Sequence, residues 1–523
     1  MSHNPEKPRP KEEQSLDITA RMKSDAYLAS LHEVWKELPE SEWFLVGGMV
    51  RDIMLEREEQ SKDYDFVVRD VSLEQVEEAL EGKGKVNLVG RNFGVMKFTP
   101  EGAEQAIDIA WPRTEKASGT GGYRDFDVQS DSALPINDDL ARRDLTINAM
   151  AWDVRNDKLI DPFGGKEDAE NRVLRAVGEP KERFTEDYSR MLRTLRFACQ
   201  LGFEIEENTW QALTDLMSHL DDKVERTRER KVKGKEKVIE EKVMERVVPY
   251  ELMSREFAKA LEADPVKAID LFERSGALFK VFPELKEMRG CEQSSSQHSE
   301  GDVWTHSKLA VEKLVGPEFP KMFPDEKPTV ETILAVLLHD IGKPDTQKDD
   351  GERITFYGHD HRGAEIVSGI ESRLRFSGVE GHDVNLERMQ FLVRMHLFPN
   401  SVDLNTVKRT TLEKYFLKDP ESGRALLHMA FADASASIPE DGEPDLSNLI
   451  RLIDVLKEVQ AHADVGKTPK GFVTGSDVMA ITGLKSGPEV GKLLHQLREA
   501  QLSGEVATEE DAKRMIRDIH EKK

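Results

Sequence analysis

"FLVGGMVRDIMLEREEQSKDYDFVV", residues 44–68, sets two adjacent glycines, an arginine and two alternating aspartates between apolar runs. The opening apolar run reads as a short buried strand, MVRDIMLE as a helix opened by the glycines, and DYDFVV as a second strand. Side chains two apart on a strand share a face, so Asp63 and Asp65 can aim two carboxylates into one site, where a hard cation such as Mg2+ prefers oxygen ligands. Gly47 and Gly48 let backbone N–H groups approach a phosphate at the helix start, and Arg51, one turn in, supplies a guanidinium for a triphosphate. The arrangement suits nucleotidyl transfer in which two metals activate an attacking hydroxyl and stabilise the leaving pyrophosphate.

Outward from this stretch, further strands are expected at KVNLVG (85–90), FGVMKFT (93–99) and QAIDIAW (105–111), and a helix over 18–38. A mixed α and β region therefore runs over 16–175, behind a polar, proline-bearing tail at 1–15 with too few apolar groups to order it. After it the strand signals fade, and FTEDYSRMLRTLRFACQLGF (184–203) begins a series of amphipathic helices ended by glycine. The expected organisation is multidomain α+β: a head at 16–175, an all-α neck and body at 176–290, a second helical block at 291–437 and a helical tail segment at 438–523. SIPEDGEPDLSN (437–448) reads as a loop or linker. The charged run 223–245 reads as an exposed helix or hairpin laced with i,i+4 pairs.

Composition bounds the class. The 523 residues, 38% hydrophobic and 33% charged, exceed one hydrophobic core and suggest roughly three to four domains. No apolar run approaches the ~20 residues that span a bilayer, and the opening residues lack an apolar signal core, so a cytoplasmic chain is expected. The two cysteines, Cys199 and Cys291, stand alone and offer neither a disulfide framework nor a cysteine zinc site. A formal charge of −25 argues against nonspecific coating of nucleic acid, though a local basic surface can still bind a folded RNA.

The 44–68 stretch resembles the first motif of class II tRNA nucleotidyltransferases, the CCA-adding enzymes, and of their bacterial poly(A) polymerase relatives. Further motifs follow in order. DLARRDLTINAMAWD (139–153) is similar to the family's ribose and triphosphate motif, which implies nucleotide contacts from Arg142, Arg143, Asp144 and Asn148. DPFGGKED (161–168) resembles the hinge between head and neck, and VPYELMSREF onward (248–285) the helices supporting the neck. Asp108 in AIDIAW occupies the place of the superfamily's third carboxylate. EDYSR (186–190) resembles the nucleotide-selecting motif, and helical spacing puts Asp187 and Arg190 on one face. A carboxylate beside a guanidinium complements the amino group and ring nitrogen of both cytosine and adenine. Guanine and uracil present a carbonyl instead, which would leave two acceptors facing each other.

The block from 291 scatters His and Asp along apolar helices in VWTHSKLAV, AVLLHDIGKPDTQ, FYGHDHRGAEIV, LVRMHLFP and LLHMAFADASAS. It resembles the HD phosphohydrolase domain attached to some CCA-adding enzymes. That resemblance implies His306, His339, Asp340 and Asp433 as ligands of a divalent metal, with His359 and His396 as candidates for a second metal or a phosphate contact. Imidazole and carboxylate suit a divalent transition metal or Mg2+ with an open position for water. A folded but inactive remnant is the competing reading.

The loop TEKASGTGGYRDFDVQSDSALPIND (114–138) lies where the family carries a flexible loop that switches the site from C to A addition. Its presence argues against an enzyme that adds only CC, and its glycine-rich composition leaves specialised A addition open. The resemblance assigns no role to 223–245. The expected activity is template-independent addition of CCA to tRNA from CTP and ATP. The alternatives are A-only addition or poly(A) synthesis and, in another class, a metal-dependent phosphohydrolase acting on RNA ends.

Overall fold

The computed structural model describes residues 28–57, 64–89, 95–231, 238–294, 296–351, 353–440, 442–463 and 471–521. The tail expected at 1–15, the first part of the helix expected over 18–38, and Asp63 lie outside the described residues. The chain divides into two compact units, residues 1–252 with 274–277, and residues 253–273 with 278–523.

A mixed seven-stranded sheet organises the first unit. Its strands are β1 (Glu42–Val46), β2 (Asp65–Arg69), β3 (Gly84–Leu88), β4 (Val95–Pro100), β5 (Ile107–Ala110), β8 (Ala151–Asp153) and β9 (Lys158–Ile160), in the order β3-β4-β5-β2-β1-β8-β9. Only β2 and β5 pair in parallel; the other neighbours are antiparallel. β1 lies inside this sheet and is covered on both faces, which is why its apolar run is unbroken. Trp43 and Leu45 join one core with Phe66, Val68 and Phe98, while Phe44 and Val46 join another with Val67, Ile136 and Leu140. A separate hairpin, β6 (Arg113–Ala117) and β7 (Phe126–Ser130), is built from the glycine-rich loop segment.

Past β10 (Val173–Leu174) the unit becomes helical, apart from β11 (Glu204–Ile205) and one hairpin. The helix Ser189–Leu201 ends on Gly202 at φ +68°, the left-handed stop that glycine makes without steric cost. The charged run forms that hairpin, β12 (Lys223–Lys231) against β13 (Val238–Arg246), antiparallel with Lys223 opposite Arg246. Of the two shapes the sequence allows, helix is therefore excluded. Its charges meet across strands rather than at i,i+4, as where Lys242 Nζ reaches Glu225 Oε1 at 2.7 Å.

The second unit is helical apart from a short antiparallel pair, Lys348–Asp349 with Ile354–Thr355. Val303–Val315, Val330–Leu338, His359–Leu374, Leu386–Met395 and Pro420–Ala436 carry the His and Asp residues or lead directly to them. Side-chain caps start several of them: Asp302 accepts from Thr305 N at 2.8 Å, and Asn385 from Arg388 N at 3.0 Å. Of the loop or linker expected over 437–448, the described residues up to 446 are irregular, while Ser447 begins the helix Ser447–Ala463. The last three helices, Gly475–Thr482, Pro488–Leu502 and Glu509–Glu521, close a small core of their own around Val478, Leu493 and Ile516. Cys199 and Cys291 are buried and not joined in a disulfide, and among the described residues no helix is long and apolar enough to cross a membrane.

Candidate functional sites

Asp65 opens β2, opposite Val46 of β1 and in register with Asp108 of the parallel strand β5. Gly47 joins β1 to the helix Gly48–Met54 at φ +74°. A Cβ there would stand 3.0 Å from an Arg143 guanidinium nitrogen and 3.7 Å from Asp65 Oδ2, so glycine is required both by the backbone and by the approach of these two side chains. Both line a cavity of about 840 Å³ edged by seven arginines and five carboxylates. The local excess of cation resolves the charge paradox: a chain of net charge −25 concentrates its guanidinium groups where a polyanion can sit.

These groups are held by one another. Arg51 is buried; it chelates Asp52 at 2.8 and 2.9 Å and donates to Asn148 Oδ1 at 2.8 Å. Asn148 in turn donates to Asp144 Oδ1 at 3.1 Å, and Arg193 pairs with Asp144 at 2.8 Å. Burial alone would raise the Asp144 carboxyl, but Arg193, Asn148 and the Leu145 amide outweigh it and hold it well below the ordinary range. Arg142 pairs with Asp139 at 2.6 Å and with Glu115 at 2.7 Å, and Arg143 with Asp139 at 3.4 Å. Asp108, beside Asp65 in the sheet, is paired with Lys97 at 2.8 and 3.1 Å, and it does not line the cavity.

Asp187 and Arg190 both line the cavity, but not from one helical face. Asp187 is extended, at φ −153°, in the junction between Pro180–Glu186 and Ser189–Leu201. Its carboxylate accepts from Ser189 N at 2.8 Å, the local bond that competes with helix and turns the chain. Burial raises its carboxyl above the usual range. Arg190 donates to Glu186 at 2.6 Å, to Arg142 O at 3.0 Å and to Arg183 O at 3.2 Å. Those three contacts fix the plane of a group with five donors.

In the second unit the six expected residues converge. His306 Nε2 lies 3.1 Å from Asp433 and 3.9 Å from Asp340 Oδ2; His339 Nε2 lies 3.1 Å from Asp340 Oδ2 and 3.7 Å from Asp433. On the other side, His359 and His396 stand 3.4 and 3.7 Å from Asp340 Oδ1. Asp340 thus offers one oxygen to each of two ligand groups. The Nδ1 atoms of His339, His359 and His396 each lie 2.7 Å from the carbonyl three residues back, at Val336, Phe356 and Val393. A carbonyl can only accept, so each Nδ1 carries the proton and each Nε2 lone pair faces the cluster. His339 Nε2 and both Asp340 oxygens are buried without a well-aligned hydrogen bond. Lone pairs and carboxylate oxygens gathered this way form a ligand set that a divalent metal fits.

Sequence reading missed several participants. Glu300 accepts from His306 Nδ1 at 2.8 Å and orients that ring, six residues upstream in a polar loop with no periodic signal. Lys343 Nζ reaches Asp340 Oδ2 at 2.7 Å, and its i+3 spacing in HDIGK was available to find it. Arg193, one turn beyond Arg190, carries the same helical signal.

Residues 43–175 match the Poly A polymerase head domain family, and 316–458 the HD domain family. The A-adding tRNA nucleotidyltransferase of Deinococcus radiodurans is 31% identical over 482 residues, covering 90% of this chain and 94% of that protein. The Multifunctional CCA protein of Neisseria meningitidis serogroup A is 31% identical over 434 residues, covering 81% and 89%. Among solved structures, the Thermotoga maritima CCA-adding enzyme complexed with tRNA matches with a TM-score of 0.59 at 19% identity, covering 95% of this chain and 97% of that one.

Proposed function

This chain belongs to the class II tRNA nucleotidyltransferases and carries an HD domain, and from that premise we propose that it adds CCA to tRNA 3′ ends from CTP and ATP without a nucleic-acid template. One observation supports the reading: Asp65, a set of arginines and the Asp187–Arg190 pair edge one cavity. Asp63 and Asp65 would hold Mg2+, which when bound activates the tRNA 3′ hydroxyl and neutralises the departing pyrophosphate. Arg142 and Arg143 meet the triphosphate, while Arg51, locked by Asp52 and Asn148, supplies fixed positive charge beside it. The Asp187 carboxylate accepts from the amino group of cytosine or adenine, and Arg190 donates to the ring nitrogen next to it.

A-only addition is the second reading, favoured by the match to the Deinococcus A-adding relative over 90% of the chain. Presenting tRNAs that lack three, two or one 3′ nucleotide, each with one labelled nucleotide, separates the two. Stepwise CMP, CMP and AMP incorporation supports CCA addition. AMP incorporation confined to the tRNA ending in CC identifies an A-adder, and incorporation into none of them removes both readings.

In the HD unit, His306, His339, Asp340 and Asp433, with His359 and His396, would hold one or two divalent ions that supply an activated water for hydrolysis of a small phosphoester such as a cyclic nucleotide. Glu300 holds the His306 ring, the backbone carbonyls hold the other three, and Lys343 is placed to meet a phosphate oxygen.

A further inference from the structure

The charged hairpin β12–β13, to which the family resemblance gives no role, is joined to the base-selecting junction by two routes. Arg226 on β12 makes a two-pronged pair with Asp125 in the loop of the β6–β7 hairpin, at 2.7 Å on each prong. That geometry fixes orientation as well as distance. Asp125 also accepts from Thr120 Oγ1 in the same loop and donates its amide to Gly122 O at 2.9 Å, so the loop closes around the carboxylate that Arg226 holds. The Arg226 guanidinium, with Thr120, keeps Asp125 ionised below its ordinary range despite its burial.

The next loop contact is with the site. Gly121 O accepts from Tyr188 N at 3.0 Å, and a Cβ on Gly121 would fall 2.1 Å from the Tyr188 ring. Phe126, at the start of β7, lies 6.0 Å from the Arg190 guanidinium. Tyr188 follows Asp187 directly, so the loop rests on the residue between the two groups that face the base. The second route runs from the hairpin's foot. Asp222, whose carbonyl accepts from Val247 N at 2.8 Å, binds His219 Nδ1 at 2.7 Å, and the His219 ring stacks on Tyr188 at 4.9 Å.

We infer that Arg226 is a positioning residue for nucleotide selection: through Asp125 it holds the glycine-rich loop against Tyr188 and so sets how tightly Asp187 and Arg190 are presented to the incoming base. This rests on the proposed nucleotidyl transfer. Releasing the tether loosens the frame around the selecting pair while leaving the Asp65 carboxylate and the arginine cradle in place, so selectivity falls further than turnover.

The test is kcat/KM for AMP and for GMP addition to a tRNA ending in CC, in the full chain, for wild type, Arg226→Gln, Asp125→Asn and the reversed pair Arg226→Asp with Asp125→Arg. Each single variant is expected to lose about tenfold of the ATP-over-GTP preference, with its melting temperature retained, and the reversed pair to recover most of it. Unchanged preference in folded single variants overturns the inference. So does an equal fall for both nucleotides, or a reversed pair no better than the singles, since each marks the hairpin as a structural prop. If the single variants do not fold, Arg226→Lys, which keeps the charge but loses the second prong, must show an intermediate preference or the inference fails. A wild-type enzyme that adds neither nucleotide defeats the proposed function and the tether with it, whereas normal wild-type addition with unaltered variants defeats the tether alone.

Discussion

The head cleft and the HD cluster solve opposite electrostatic problems with the same few side-chain types. In the head, arginines outnumber carboxylates around an open cavity, and the charged side chains of its binding motif are tied to one another: Arg51 to Asp52 and Asn148, Asp144 to Arg193, Arg142 to Asp139 and Glu115. In the HD unit, by contrast, lone pairs and carboxylate oxygens crowd a buried point where His339 Nε2 and both Asp340 oxygens lack a well-aligned donor. The first arrangement is stable as it stands and receives an anion by its excess of charge. The second keeps its lone pairs aimed inward, a set that a cation would complete. Preorganisation is common to both, but the head stores it in ion pairs and the HD unit in imidazole Nδ1 bonds to backbone carbonyls.

The largest expected effect on base discrimination comes from Arg190. Its removal leaves N3 of CTP and N1 of ATP without a donor, a loss of about 1–3 kcal/mol for a desolvated bond, so discrimination against UTP and GTP should fall roughly 10- to 100-fold. Steady-state kinetics on Arg190→Ala with all four nucleotides checks this; unchanged ratios would mean that Arg190 only braces Glu186 and the Arg142 carbonyl.

The HD side of the comparison is sharpened by metal alone. Titrating Mn2+ or Zn2+ into the full chain should raise its melting temperature, by an amount corresponding to about 2.7 kcal/mol when free metal is a hundredfold above its dissociation constant. His339→Ala should remove the shift. A shift that survives this substitution places the metal elsewhere.

A smaller effect concerns acid. Asp144 has a depressed carboxyl, so it contributes stability that is present above the ordinary carboxylate range, about pH 4, and is lost as pH falls toward its folded value. In Asp144→Asn the melting temperature should drop at neutral pH, and the gap from wild type should shrink as the pH is lowered below about 4. A gap that is constant with pH would assign the loss to packing.

Much of both sites was legible because local pattern and tertiary role coincide. The strand, glycine turn, helix and strand around Gly47 follow from an apolar run that the sheet buries on both faces; His306 and Asp433 sit on apolar helices, and His339 and Asp340 directly follow one, so that helical periodicity aims them inward. What escaped depends on contacts that spacing does not encode. Asp187 lies off the helix because its own carboxylate caps Ser189 N and turns the chain. The alternating Lys, Glu and Arg of 223–245 satisfy helical and strand periods alike, and the partner of Arg226 lies about a hundred residues earlier in a different hairpin. Asp108 sits in register with Asp65, but Lys97 on the adjacent strand occupies it, and only strand order reveals that neighbour.

The central claim of the proposal is that the first unit carries nucleotide addition and the HD cluster would carry a separate metal-dependent hydrolysis. The most direct measurement crosses two variants with two assays, AMP addition to a tRNA ending in CC and hydrolysis of a cyclic nucleotide with added divalent metal, using purified Asp65→Ala and His339→Ala. Asp65→Ala is expected to lose addition by a factor of about 10³ or more while binding tRNA as before and retaining hydrolysis. His339→Ala is expected to do the reverse. Wild-type addition by Asp65→Ala, or loss of both activities in either folded variant, would contradict the division.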